Sequence, residues 1–170
     1  KEVVHIHAQD KVGTAKAGKM DMEEYNELIS KSWGICGACT SMTTANSMCM
    51  IAEALGMTMP GNSSVSAVSS QLYLMAYQAG IQIVSLVAKD IRARDIITVE
   101  SLKNAIRMDM AVAASSNLIL HIPAIANEAG YDLPWWKYFD EASSQVPLLS
   151  HLAPSGPYSL KDFDLAGGMP

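Results

Sequence analysis

The sequence predicts an α/β protein that is predominantly helical over this segment. Three observations lead there. Apolar residues recur at helical spacing between recognisable start and stop signals. A single short run, Val3 to His7, has the β-branched character of a strand. Several of the expected helices are apolar on more than one face, as helices lying between a sheet and a second layer are. Residues 1–170 therefore read as one partial domain of a larger α/β protein.

The elements follow in order. After the Val3–His7 strand, Lys11 to Lys19 is rich in Ala, Gly and Lys and suits a short helix. Asp21, with Glu24 three residues on, has capping-box spacing and starts a helix to about Lys31, with Met22, Tyr25, Leu28 and Ile29 on one face. Ser32 to Thr40 is a loop. A helix is expected from about Met42 to Leu55, with Met42, Ala45, Cys49 and Ala52 on its stripe and Met48 and Leu55 beside it. Gly56 ends it, and Pro60 prevents an early restart. A long apolar helix spans about Val68 to Lys89. Thr98 caps the next, about Val99 to Ala113. Another starts at Ser115-Ser116-Asn117 and reaches Ala129, where Gly130 stops it; Pro123 kinks it or marks a late start. Pro134 to Ala142 forms one more short helix. From Val146 to Pro170 a Pro/Gly-rich tail is expected to run extended toward a second domain.

Composition narrows the function classes. With 170 residues the chain is about one domain long. Its 49% hydrophobic content excludes disorder as the dominant state. Charged residues are 17%, against about 25% in an ordinary soluble domain, so much of the surface is meant to be covered. A net charge of -5 without a Lys/Arg cluster argues against a nucleic-acid module. Three cysteines are an odd number and do not suggest a disulfide framework. The uncharged stretch from Ala54 to Ala88 contains Pro60, Asn62 and three glutamines, which makes it a poor membrane span. No secretory signal is recognisable, and the expectation is a cytoplasmic protein without a membrane partner. The chain opens at Lys1 without a methionine, and both ends read as cut.

Five constellations invite chemistry. Gly13 to Lys19 has phosphate-loop spacing, but Met20 stands where a Ser or Thr must hold magnesium, so a small-residue helix is the simpler reading. His5-Ile6-His7 puts two imidazoles on one face of a strand without a third ligand nearby. Cys36-Gly37-Ala38-Cys39 lies before a helix N-terminus, which favours thiolate; cluster ligation, redox chemistry and inert thiols all remain open from the residues alone. Asp109 falls in the apolar stripe of Leu102, Ala105, Ile106, Met110 and Ala113, where a carboxylate must be paired, face a polar cleft or be protonated. The N–H groups and hydroxyls of Ser115-Ser116-Asn117 suit an anionic ligand, and ordinary capping explains them equally.

The run Cys36-Gly37-Ala38-Cys39-Thr40-Ser41-Met42-Thr43-Thr44-Ala45-Asn46-Ser47-Met48, continuing through Glu53-Ala54-Leu55-Gly56 to Pro60-Gly61-Asn62-Ser63-Ser64, closely resembles the dihydroxy-acid dehydratase and phosphogluconate dehydratase family. Further motifs follow in order: Asp95-Ile96-Ile97-Thr98, Asn104-Ala105-Ile106, Ser115-Ser116-Asn117, His121-Ile122-Pro123-Ala124-Ile125-Ala126, Glu128-Ala129-Gly130, Val146-Pro147-Leu148-Leu149, Pro154-Ser155-Gly156 and Ala166-Gly167-Gly168. The resemblance covers roughly residues 33 to 170. There are departures. Ala113-Ala114 stands where the family usually has Gly-Gly, Asp164 where a His is common, and Thr40-Ser41 where smaller residues are commoner.

The resemblance implies a segment of the N-terminal α/β domain of a two-domain, homodimeric dehydratase that removes water from a 2,3-dihydroxy acid to give a 2-keto acid. It implies an iron–sulfur cluster, 2Fe-2S or 4Fe-4S, with Cys39 as one ligand. Cys36 matches a cysteine that only some members carry. Ser115, Ser116 and Asn117 are expected near the substrate. The other cluster cysteines, the magnesium ligands of a Cys-Asp-Lys motif and the base are expected in the remainder of the polypeptide, because this chain contains no Cys-Asp dipeptide. The expected substrate is the dihydroxy acid of branched-chain amino-acid biosynthesis. The alternatives are a sugar acid, or a fragment with only a structural or interaction role.

Overall fold

The computed structural model describes residues 5–32, 36–39 and 41–170, with the backbone alone for residues 5–7. Ten helices are found among them: α1 (His5–Asp10), α2 (Val12–Lys16), α3 (Met22–Ser32), α4 (Thr44–Ala54), α5 (Ser70–Ala88), α6 (Ala93–Ile96), α7 (Val99–Val112), α8 (Leu118–Glu128), α9 (Trp135–Gln145) and α10 (Leu160–Leu165). No strand occurs among the described residues, and the one β-type pairing is an isolated bridge between Leu152 and Tyr158. The segment is thus predominantly helical.

The N-terminal expectation needs correction. Residues 5–7 are the start of α1, not the end of a strand. Among the described residues no sheet offers an edge for a short strand to pair with, and a lone strand is not stable in water. The strand expected to carry His5 and His7 is therefore not formed at these residues. Val3 and Val4 lie outside the described residues. Across Gly13–Lys19, α2 occupies the backbone a phosphate loop would need, as the small-residue reading expects. The three N-terminal helices pack on one another.

The main core joins α4, α7, α8 and α9. Ile51 and Leu55, Leu102, Ala105 and Ile106, Leu118, Ile122 and Ala126, and Trp135, Phe139 and Ala142 form one buried cluster. Thr98 accepts a hydrogen bond from the Ser101 N–H at 3.1 Å and starts α7 as its sequence predicts. Pro123 lies inside α8, and the helix continues past it to Glu128. Gly130 then takes a φ of 91°, which suits a residue after a helix end.

On α4 the buried face is Asn46, Ser47, Met50 and Ile51, followed by Leu55. The predicted stripe of Ala45, Cys49 and Ala52 is rotated away: Ala45 and Cys49 are exposed. The apolar pattern misled because two polar residues, Asn46 and Ser47, are buried with hydrogen-bond partners, and polar burial is invisible to an apolar count.

The tail departs from the extended expectation in part. It has no helix from Val146 to Ser159 and then forms α10, started by a reciprocal Ser159–Asp162 cap. It also folds back onto the body. Leu152 joins Met42, Met50 and Val112 in a second buried cluster, with Leu160, Phe163 and Met169 packed on it. The Leu149 N–H donates to the Ala111 carbonyl at 2.7 Å, and the Met42 N–H to that of Ala153 at 2.6 Å. Gly156 is required here: a Cβ would meet the His151 carbonyl oxygen at 2.2 Å.

Helix α5 differs from the rest. No other described helix packs against it, and Tyr73, Leu74, Tyr77, Ile81, Ile83, Val84 and Val87 are exposed. By length and composition alone it would suffice to cross a bilayer, although an apolar helix normally covered by another layer meets the same description. Its surface is interrupted by Gln71, Gln78 and Gln82.

Candidate functional site

The motifs that stand apart in the sequence converge on the N-terminal end of α4. Thr43 is its N-cap, in extended conformation and without a side-chain capping bond. Cys39 lies just before it, half-buried and free. Its Sγ is 3.4 Å from the Thr43 hydroxyl and 3.8 Å from the Ser41 carbonyl oxygen.

Asn46 fixes the loop that carries this thiol. Its side chain is 3% exposed. The Nδ2 group donates to the Ser41 carbonyl at 2.7 Å and also to the Cys39 carbonyl. One amide thereby holds two backbone carbonyls that flank a single residue. Ser41 is itself fully buried, and its hydroxyl has no hydrogen-bond partner among the described residues.

The same helical turn holds the loop between α7 and α8. The Thr44 hydroxyl is 3.0 Å from that of Ser115 and accepts from Asn117 Nδ2 at 2.8 Å. One turn further, the Ser47 hydroxyl accepts the Ser115 N–H at 3.0 Å. Ser115 in turn accepts the Asn117 N–H at 3.3 Å. Ser116 and Asn117 are exposed, although the Asn117 amide is tied to Thr44. The loop is set up by Ala113, which ends α7 in the left-handed region at φ 48°.

A third pair of motifs meets nearby in sequence terms. Glu53, on the last turn of α4, accepts the Gly61 N–H at 2.5 Å and the Ser63 N–H at 3.0 Å, closing the Pro60–Ser64 loop. The Ser64 hydroxyl donates to Asp164 at 2.9 Å. Gly168 adjoins the same hydroxyl so closely that a Cβ there would lie 2.6 Å from it, and its φ is 71°. Asp164, which departs from the commoner His, thus has a partner of its own.

Cys36 and Cys49 are exposed, and Cys49 points off the outer face of α4. Among the described residues no group of three His, Cys, Asp or Glu could hold a metal ion. A hollow between α7 and α9, lined by Lys103, Arg107, Tyr138 and Glu141, shares no residue with this arrangement. Asp109 is buried at 5% exposure, and desolvation alone raises its pKa to about 6. The expected burial is found, but no hydrogen-bond partner for its carboxyl is present among the described residues.

Sequence reasoning named Cys39, Ser115, Ser116 and Asn117 but gave Thr44, Asn46 and Ser47 no separate part. The available signal was their polarity in the first turn of an otherwise apolar helix.

Fold and site together define a helical segment of a larger protein, organised around one helix N-terminus that carries a half-buried thiol and a hydroxyl-and-amide loop. The chain belongs to the dihydroxy-acid/6-phosphogluconate dehydratase N-terminal family, whose model matches residues 1–170. It is 45% identical over 159 residues to a dihydroxy-acid dehydratase of Endomicrobium trichonymphae, covering 94% of this chain and 29% of that protein. It is 44% identical over 169 residues to that of Maridesulfovibrio salexigens, covering 99% and 30%. It is 46% identical over 159 residues to that of Acetivibrio thermocellus, covering 94% and 28%. The chain thus spans about 30% of the length of these relatives.

Proposed function

We propose that the chain is part of an iron–sulfur, magnesium-dependent dehydratase that converts a 2,3-dihydroxy acid to a 2-keto acid in the cytoplasm, and that it is the dihydroxy-acid dehydratase of branched-chain amino-acid biosynthesis. The observation that carries the reading is the tie between the Cys39 loop and the Ser115–Asn117 loop through one turn of α4. The relatives named dihydroxy-acid dehydratase supply the reaction class.

The residues present fit one thiolate ligand of a cluster. Cys39 is free and half-buried beside a helix N-terminus, whose partial positive charge favours an anionic sulfur. The Thr43 hydroxyl lies within reach of that sulfur. When bound, the cluster supplies a Lewis-acidic iron that stabilises the charge developing on a departing hydroxyl. The chain's own part is to hold and orient. Asn46 holds the Cys39 and Ser41 carbonyls, and Thr44 and Ser47 fix the loop from which Ser116 and Asn117 offer polar groups to an anionic substrate. The remaining cluster ligands, the magnesium ligands and the base belong to the rest of the polypeptide, and the assembled protein is a homodimer.

The test is an assay of the full-length protein, reconstituted anaerobically with iron and sulfide. It should release 2-keto acid from dihydroxyisovalerate much faster than from gluconate or 6-phosphogluconate. Faster turnover of a sugar acid would reassign the substrate. Failure with all three in an iron-loaded preparation would leave only a structural role. The 170-residue chain alone should be inactive.

A further inference from the structure

We infer that Asn46 is a positioning residue that sets the Cys39 thiol in its ligating orientation, an inference that rests on the cluster reading above. A primary amide has two N–H donors on one nitrogen, so it alone among side chains of this size can hold two carbonyls from a single compact group. Asn46 uses that capacity here, on the carbonyls of Cys39 and Ser41. The bond to the Cys39 carbonyl restrains the backbone of the thiol-bearing residue itself, and the bond to the Ser41 carbonyl restrains the chain as it enters α4. The amide is 3% exposed, so water does not replace these bonds when it is removed. The next residue, Ser47, is fully buried too, but it serves the other loop through the Ser115 N–H. Asn46 and Ser47 therefore form a matched pair of adjacent buried polar residues in one turn: Asn46 holds the Cys39 and Ser41 carbonyls, whereas Ser47 accepts the Ser115 N–H and donates to the Met42 sulfur without touching the Cys39 backbone.

The experiment uses the full-length protein, reconstituted anaerobically, with iron loss to a competing chelator as the readout. Variants are Asn46→Asp, which loses the donors and repels both carbonyls; Asn46→Ser, which keeps one donor; Ser47→Ala; and Cys39→Ser. Disturbing a group that orients a metal ligand typically lowers metal affinity about 10- to 100-fold, which is the loss expected for Asn46→Asp. Asn46→Ser should fall between it and the parent and shift the electron paramagnetic resonance g-values of the reduced cluster. Ser47→Ala should hold its iron like the parent and leave the g-values unchanged. If Asn46→Asp does not fold, judged by far-ultraviolet circular dichroism of the apo form, Asn46→Ser decides on the same scale. Iron retention by both Asn46 variants would overturn the inference, as would equal losses in Ser47→Ala. Iron retention by Cys39→Ser would instead overturn the cluster reading, and this inference with it.

Discussion

The hydroxyls of Thr44 and Ser115, 71 residues apart in the chain, lie 3.0 Å from each other. Thr44 also accepts from Asn117, so a single side chain ties the first turn of α4 to the loop that starts α8. Replacing Thr44 with Val keeps the shape and removes both bonds. The expected result is faster amide hydrogen exchange over residues 115–120 and a stability loss of about 1–3 kcal/mol. Unchanged exchange in that loop would show that Thr44 does not hold it.

Ala113 is the second point of test. It ends α7 at φ 48° and ψ 55°, a conformation that costs a residue with a Cβ roughly 1–2 kcal/mol. Glycine usually stands here in the family that the chain resembles. Ala113→Gly removes the strain but adds freedom to the unfolded chain, so the net gain should be about 0.5–1 kcal/mol. A higher midpoint in urea unfolding checks it; a lower midpoint would contradict the left-handed assignment.

Asp109 gives a pH dependence with a definite sign. Burial raises its pKa from 3.8 to about 6, so the folded state holds the proton more tightly than the unfolded state. Its contribution to stability is then most favourable below the unfolded pKa and is lost as pH rises through about 6. Asp109→Asn should remove that slope and make the protein more stable above pH 6, by on the order of 1 kcal/mol once solvent screening is discounted. This reverses the cost expected had the carboxylate been paired. Stability of the parent and the variant across pH 4 to 8 is the measurement, and a destabilised variant at pH 7.5 would mean that Asp109 is paired after all.

Helix α5 predicts association. Tyr73 is 77% exposed, and Leu74, Tyr77, Ile81, Val84 and Val87 extend the apolar surface along its length. Contiguous apolar patches beyond a few hundred Å2 normally mark contact surfaces. Light scattering of the isolated chain should show oligomers, and a Tyr73→Lys/Val84→Lys pair should shift it toward monomer. A clean monomer without binding of an apolar dye would contradict the expectation.

Most helices were legible in the sequence because their signals are local. Thr98 as a cap, Gly130 as a stop and Pro134 as a start need no knowledge of the rest of the fold. The strand expectation fails at residues 5–7, which are helical, because strand character depends on a partner that the described residues do not provide. The inner face of α4 was misread because Asn46 and Ser47 are buried for their hydrogen bonds. Helix α10 was missed within a Pro/Gly-rich tail, although Ser159 and Asp162 carry capping-box spacing. The site was legible as separate motifs. Their meeting at the start of α4 depends on contacts such as Thr44–Ser115 and Ser64–Asp164, which no local pattern encodes.

The central claim is that Cys39 is the residue of this segment that ligates the cluster. Iron content of Cys36→Ser, Cys39→Ser and Cys49→Ala in the full-length protein, reconstituted side by side, tests it most directly. The account predicts that Cys39→Ser loses iron, visible charge-transfer absorption and activity, whereas Cys49→Ala, altered on the exposed face of α4, keeps all three. Full iron in Cys39→Ser together with its loss in Cys36→Ser would move the ligand three residues back, and full iron in all three would contradict a cluster ligand in this segment.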